Sequence, residues 1–369
     1  MEQSAKISVM HLVEASGGGE VIYGKERVIH WLMRAQREAG DVHPRLAVFS
    51  PCALSSIARS EGFDVDELSS GSRTIPLHAF GPLRHALHEA DAPVLHTHGY
   101  KANIVGRAIR LAGAPMTALV ATCHGFIVNE SNLRFYNALD RATGALSDLV
   151  TAPDPGMLKR FPRSARTRFV PNAIPEMPMP DAAVRARARG RFGFGADAFV
   201  AGMLGRLSAE KGVTNFAEAA RRGAGATRWA VAGTGPLEEQ LRSAAPPALA
   251  HVGFVSPAED FLAALDVYVQ PSFTEGLSLS LLEAMRFALP IVATNVGATS
   301  EAVRDGVEAL LVAPDPEAIA SGVRRLSEDA KLRARLGAAA RRRFQDRFRI
   351  EVIEREYAAV YRDAALRRA

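Results

Sequence analysis

Short aliphatic runs alternate with longer segments whose apolar residues recur three and four apart, and the alternation continues through most of the chain. A run of four to eight residues that is apolar at nearly every position has to be covered on both faces. It therefore predicts a buried strand of a parallel sheet, with the amphipathic segments as the covering helices. Strands are expected near Lys6–Val13, Leu46–Phe49, Val94–Thr97, Ala118–Thr122 and Leu149–Ala152, and helices over Val21–Ala39, Lys101–Leu111 and Leu133–Leu146. The stretch Pro171–Ala196 is rich in proline and glycine and carries Arg185, Arg187, Arg189 and Arg191; it reads as a linker whose arginines form a solvated face. Alternation then restarts, with strands at Ala198–Leu204, Arg228–Ala232, Val267–Gln270 and Ile291–Thr294 and helices at Val213–Arg222, Leu237–Ala244, Pro257–Leu265 and Leu279–Phe287. From about Pro316 only helical pattern remains. The expected fold class is α/β: two Rossmann-like, doubly wound parallel-sheet domains facing a cleft, over residues 1–175 and 176–345. A helix over 346–369 is expected to return to the first domain.

The length supports this division, because 369 residues exceed what one core usually serves. No run approaches the ~18 apolar residues of a membrane span, and the first residues lack the charged-then-apolar layout of a secretory signal. Two cysteines, Cys52 and Cys123, are too few for a disulfide framework, and a reducing, cytoplasmic setting is expected. The net charge of +5 is mild and the aromatic content is only 7%, so a basic strip interleaved with aromatics, the mark of a nucleic-acid binder, is not expected. An anionic small substrate or an anionic membrane surface fits the charge.

Several tempting patterns carry little. Gly19 to Lys25 nearly spells a phosphate-binding P-loop, but Glu26 stands where Ser or Thr would ligate magnesium. Gly233-Thr234-Gly235 follows a strand and opens a helix, yet Glu238 occupies the third glycine position of a dinucleotide fingerprint, so a tight turn is the simpler reading. Cys123 and His124 are neighbours on an extended segment and point to opposite faces, which argues against a thiol dyad. His96 and His98 share a face and could meet His124, but no carboxylate or thiol completes a metal set, and no metal is expected.

The second half carries stronger signals. After Ala198–Leu204 comes Gly205-Arg206-Leu207-Ser208-Ala209-Glu210-Lys211-Gly212, a glycine-flanked turn that presents two cations at the mouth of a helix. Cations beside free helix amides favour a phosphate or diphosphate. After Val267–Gln270 comes a loop with Glu275, Gly276, Leu277 and Ser278, in which Ser278 is a plausible N-cap and Glu283 lies inside the following helix. A loop carboxylate can hold ligand hydroxyls while the helix amides face phosphates. Singly, each residue has a plain alternative: a surface Arg206–Glu210 pair, a helix-flanking Glu275, or a helical salt bridge for Glu283. Their placement at consecutive strand ends favours a ligand.

These residues resemble the retaining nucleotide-sugar glycosyltransferases of family 4, which have the GT-B fold. Glu275 and Glu283 match the family's glutamate pair, and Arg206 and Lys211 its diphosphate cations. Gly233-Thr234-Gly235-Pro236 and His251-Val252-Gly253-Phe254 match second-domain turns, and the loop Gly17-Gly18-Gly19-Glu20 a first-domain one. His98-Gly99-Tyr100-Lys101 and Thr122-Cys123-His124-Gly125 look like acceptor-side loops. One departure is Pro171-Asn172-Ala173-Ile174-Pro175, where the family usually places Asn-Gly, an aliphatic residue and Asp.

The resemblance implies transfer of a hexosyl-type sugar from a nucleoside diphosphate to a saccharide or lipid-linked hydroxyl, with retention and without a metal or other cofactor. In that picture Arg206 and Lys211 stabilise the leaving phosphate, assisted by amides of Gly18, Gly19, Gly205, Gly276, Leu277 and Ser278. Glu275 faces the transferred sugar, Glu283 holds ribose hydroxyls, and Val255 lies near the base. His124 contacts donor sugar or acceptor, and His98, Tyr100 and Lys101 the acceptor. UDP-sugars come first and GDP-mannose next as donors, envelope or exopolysaccharide assembly is the expected setting, and the linker arginines or a basic first-domain helix could hold anionic lipid. A sugar-nucleotide epimerase and a non-catalytic nucleotide-sugar binder are the alternatives.

Overall fold

A computed structural model describes residues 6–14, 22–68, 77–91, 93–125, 131–223, 225 and 227–367. It divides into two compact units, one of residues 1–175 with 350–369 and one of residues 176–349.

The first unit is built on strands β1 (Ile7–Val13), β2 (Val42–Val48), β3 (Val65–Glu67), β4 (Val94–His98), β5 (Ala118–Thr122), β6 (Leu149–Ala152) and β7 (Thr167–Phe169). They form one parallel sheet in the order β3-β2-β1-β4-β5-β6-β7. Its helices are α1 (Gly24–Ala39), α2 (Ala53–Ser60), α3 (Phe80–Glu89), α4 (Tyr100–Leu111), α5 (Ser131–Ala142) and α6 (Pro155–Leu158).

The second unit opens with α7 (Ala182–Phe192) and continues through β8 (Phe199–Leu204), α8 (Val213–Arg222), β9 (Thr227–Ala232), α9 (Glu238–Ala244), β10 (Leu249–His251) and α10 (Ala258–Ala264). It is completed by β11 (Val267–Gln270), α11 (Leu279–Arg286), β12 (Ile291–Thr294), α12 (Thr299–Ala302), β13 (Leu310–Val312), α13 (Pro316–Glu328) and α14 (Ala330–Arg347). Its sheet is also parallel, in the order β10-β9-β8-β11-β12-β13. The expected α/β class holds in both units; the nine expected strands lie within a few residues of those observed, β2 beginning earlier, and the three-residue edge strands β3, β7, β10 and β13 were not expected.

The last helix, α15 (Ile350–Leu366), belongs to the first unit by its packing. Ile350, Ile353, Tyr357 and Tyr361 are buried against Val9, Leu32, Val94 and Val120. Entry into this helix is fixed by the Ile350 amide, which donates to the carbonyl of Ile174 at 3.0 Å. That bond lies in the segment where Ala173 replaces the family's glycine; Ala173 is buried without a left-handed backbone, so the alanine is accommodated without strain. Among the described residues no helix is long and apolar enough to cross a membrane.

One expectation is corrected outright. The stretch read as a linker with solvated arginines contains α7, capped by the Asp181 carboxylate, which accepts from the Val184 amide at 2.7 Å, and ended by Gly193 in the left-handed region. Arg185 and Arg189 both grip Asp266, at 2.6 and 2.5 Å, and donate further to the carbonyls of Leu265 and Ala196. Arg191 pairs with Asp260. Of the four, only the Arg187 side chain is exposed without a hydrogen bond or ion pair among the described residues.

Candidate functional site

In an open parallel sheet, ligands bind beyond the carboxyl ends of the strands, where the strand order reverses. In the second unit that point lies between β8 and β11. The loops leaving these two strands are Gly205–Gly212 and Pro271–Ser278, which hold the predicted cations and Glu275.

The two loops are stitched together by backbone. The Glu210 carbonyl accepts from the amides of Phe273 at 2.9 Å and Thr274 at 3.3 Å. Gly212 lies so close that a Cβ there would stand 2.0 Å from the Pro271 carbonyl oxygen. On the other side, Gly233 approaches Gly205 and Gly235 approaches Leu207 closely enough that a Cβ on either would overlap backbone. Gly233-Thr234-Gly235 is thus a tight turn wedged under the cation loop, as its partial fingerprint suggested.

Lys211 Nζ reaches both oxygens of Glu275, at 2.8 and 2.7 Å, and the Ser272 hydroxyl donates to Glu275 Oε1 at 2.7 Å. Glu275 is buried whereas Lys211 keeps 30% of its side chain accessible, so the ammonium stands between a fixed carboxylate and solvent. The Arg206 side chain is exposed and makes no hydrogen bond or ion pair among the described residues, while its backbone carbonyl accepts from the Ser208 amide at 3.0 Å. The alternative of a surface Arg206–Glu210 pair is therefore not formed; Glu210 instead accepts from the Ser208 hydroxyl at 2.6 Å. Burial pushes the Glu210 carboxyl up, but that hydroxyl and the residue's own amide outweigh it, with Arg206 and Lys211 adding, and the group titrates below its ordinary value. Ser278 caps α11, its hydroxyl accepting from the Leu281 amide at 3.4 Å. Glu283 is buried on that helix, Leu277 and Val255 are buried, and Gly205 and Gly276 are half-buried. The sequence reading missed Gly297: its φ is +54°, a Cβ there would stand 1.7 Å from the Glu275 carbonyl oxygen, and the adjacent Ala298 amide donates to that oxygen at 3.3 Å.

The equivalent point of the first unit, between β1 and β4, is lined by imidazoles. In the parallel register His11 stands beside His96, and His98 beside Val13 and Thr122. His124 follows β5, with Nε2 at 3.1 Å from His98 Nδ1. Burial pulls His11 down to about 4, His124 to about 3, and His96 and His98 well below the ordinary histidine value, so all are neutral near pH 7. His11, His96 and His98 lie close enough to share an ion, but all their ring nitrogens are engaged in hydrogen bonds. Burial also pushes Cys123 up to about 12, which makes it an inert thiol.

Of the acceptor-side residues, His98 is buried with both nitrogens engaged, one layer behind the half-buried His124. Lys101 is buried and bonded to Glu14 at 2.5 Å, and Lys25 donates to the Glu14 carbonyl at 2.5 Å; Glu14 was not singled out from sequence, and Lys25 only as the end of the P-loop-like run. The Tyr100 ring stacks with Tyr136 at 6.0 Å. Gly18 and Gly19, with the rest of the loop Gly17–Glu20, lie outside the described residues.

Two doubly wound units, each carrying its polar cluster at the strand-order reversal, define a GT-B architecture. The model described as "Glycosyl transferase 4-like domain" matches residues 24–173, and that described as "Glycosyl transferases group 1" matches residues 198–329. A GDP-mannose-dependent alpha-(1-6)-phosphatidylinositol monomannoside mannosyltransferase of Mycolicibacterium smegmatis is 33% identical over 261 residues, 64% of this chain and 68% of that protein. An Escherichia coli UDP-Gal:alpha-D-GlcNAc-diphosphoundecaprenol alpha-1,3-galactosyltransferase is 27% identical over 59% of this chain and 62% of its own length. The fold is shared with Anabaena HepE, solved in complex with UDP, at a TM-score of 0.82 and 19% identity, covering 97% of this chain and 100% of that one. The chain belongs to the family 4 glycosyltransferases of GT-B fold.

Proposed function

We propose that this chain transfers a hexosyl residue from a nucleoside diphosphate sugar to a hydroxyl of a saccharide or lipid-linked acceptor, with retention of anomeric configuration and without a metal. The second unit takes the donor and the first the acceptor. The observation that carries this reading is the loop pair at the β8/β11 reversal: an unpaired, exposed Arg206, a half-accessible Lys211, and a buried Glu275 held by Lys211 and Ser272.

In this reading the diphosphate meets Arg206 and Lys211, which face the charge that builds on the leaving oxygen as the glycosidic bond breaks. Fixed cations aimed at such developing charge need no reorganisation when the bond breaks. Amides at the start of α11, including those of Gly276, Leu277 and Ser278, add positive potential; the Gly205 amide is already donated to the Ala232 carbonyl at 3.0 Å. Glu275 accepts hydrogen bonds from sugar hydroxyls, Glu283 from a ribose diol, and Val255 lies against the base. His124 accepts from a hydroxyl of the donor sugar or the acceptor, and Tyr100 and Lys101 lie on the acceptor side. The leaving phosphate itself takes the acceptor's proton, which removes the need for a separate base.

The sequence placed UDP-sugars ahead of GDP-mannose. The Mycolicibacterium relative, at 33% identity, is named for GDP-mannose and supports reversing that order. A thermal-shift panel of UDP-, GDP- and ADP-sugars tests the donor, because only a ligand of the native state raises the midpoint. The largest rise is expected with GDP-mannose, full activity in excess chelator is expected, and the anomeric signal of the product is expected to match that of the donor. An inverted product or chelator-abolished transfer contradicts the mechanism.

A further inference from the structure

Four side chains of the first unit form one continuous hydrogen-bonded line. Gln36 Oε1 lies 2.9 Å from His11 Nε2, His11 Nδ1 lies 3.0 Å from His98 Nε2, and His98 Nδ1 lies 3.1 Å from His124 Nε2. Gln36, His11 and His98 are buried, and His124 is half-buried. A neutral imidazole has one N–H and one bare nitrogen, so a bond at one nitrogen dictates what the other can do. An amide oxygen only accepts. His11 must then carry its proton on Nε2 and present a bare Nδ1, which obliges His98 to donate from Nε2, which obliges His124 to do the same. The last free position in the line is His124 Nδ1, left as a lone pair with no hydrogen-bond partner among the described residues.

The amide at the head of the line is held in turn. Gln36 Nε2 donates to the Tyr361 hydroxyl at 3.3 Å, and that hydroxyl lies 2.8 Å from His96 Nδ1. His96 Nε2 lies in turn 2.7 Å from the Thr122 hydroxyl. Turning the Gln36 amide over would reverse every bond in the line, so Gln36 alone sets the polarity for all three imidazoles.

We propose that Gln36 is a positioning residue for His124: through His11 and His98 it fixes the tautomer in which His124 offers a bare Nδ1, so that the imidazole accepts from a substrate hydroxyl and cannot donate to a substrate oxygen. The tautomer stands on the hydrogen bonds alone; its consequence for turnover rests on the reading that His124 faces substrate.

Long-range proton–nitrogen correlation spectra of the full chain labelled with ¹⁵N-histidine read each tautomer directly. In the wild-type protein His11, His98 and His124 are expected to show protonated Nε2 and bare Nδ1. A protonated Nδ1 on His124 overturns the proposal without any variant. Gln36→Met removes the director and is expected to give mixed tautomers at these three residues. A Gln36→Met protein that is folded by its melting transition and keeps a single His124 tautomer also overturns the proposal. Turnover separates the two readings: Gln36→Met is expected to lower kcat by about 2- to 10-fold with KM little changed, because only the wrongly protonated fraction is lost, against the ~10⁴-fold loss that a fully wrong tautomer costs a serine-protease triad. Mixed tautomers with unchanged kcat leave the relay standing and overturn the placing of His124 at substrate.

Discussion

Lys211 and Glu275 illustrate why a site residue has two roles to disentangle. Their contact, at 2.7 Å to one oxygen and 2.8 Å to the other, holds a mostly buried carboxylate in place, so removing the lysine alone strands a charge. Leaving a buried charge uncompensated costs up to about 3–5 kcal/mol, less here because Lys211 is partly in water. Lys211→Met should therefore lower the melting midpoint, and the double variant Lys211→Met/Glu275→Gln should recover much of it. Neither should recover turnover, which is expected to fall on the order of 10²-fold or more if the cation stabilises leaving-group charge. Recovery of activity together with stability would show that the lysine serves structure only. Both residues were legible in the sequence as a loop cation and a loop carboxylate; their pairing was not, because it depends on backbone bonds between loops more than 60 residues apart. Gln36 had a readable signal, a polar residue on the buried stripe of Ile29, Leu32 and Met33, whereas His11 needed the strand register to bring it to His96.

The loops behave as one body because glycines let their backbones touch. Gly297→Ala would place a methyl 1.7 Å from the Glu275 carbonyl, and φ at that position, +54°, already disfavours alanine. Gly306 has a similar φ, +67°, but opens onto free space. Gly306→Ala is therefore expected to cost about 1 kcal/mol of backbone strain and leave donor affinity intact, while Gly297→Ala should displace Glu275 and weaken donor binding at least tenfold. Equal donor affinities in the two variants, measured by calorimetric titration, would contradict this account of the loop pair. The longer strands and most helices were legible because hydrophobic periodicity is local; β3, β7, β10 and β13, three residues each at the sheet edges, are too short to show it. The helix α7 was not, although Asp181 and Gly193 stood at its ends as a cap and a stop. It has little apolar stripe to read, and what holds it is Asp266, more than 70 residues downstream.

Across the whole molecule, the buried histidines couple stability to pH. His11 and His124 have folded values of about 4 and about 3, below the unfolded value near 6.5, so between those limits the unfolded chain binds more protons. Stability from these groups is present above the unfolded value and is lost as pH falls from about 6.5 toward 4, on the order of 3 kcal/mol for His11 alone. The melting midpoint should drop over that window, and His11→Gln, which has no proton to take up there, should show a shallower slope; an unchanged slope would mean that His11 does not titrate as its burial requires. The division into two α/β halves was legible from length and the restart of alternation after Ala198. A helix over 346–369 was expected to return to the first domain; α15 joins the first unit through Tyr357 and Tyr361 packing against its sheet.

In the proposed function Arg206 and Lys211 hold the diphosphate of a sugar nucleotide. Calorimetric titration of GDP-mannose, UDP-glucose and ADP-glucose into the wild-type chain and into Arg206→Ala/Lys211→Ala tests it most directly. Saturable binding of at least one donor to the wild type, weakened at least 100-fold in the double variant, is the predicted result. Wild-type affinity in the double variant, or no binding of any of the three donors to the intact chain, would contradict it.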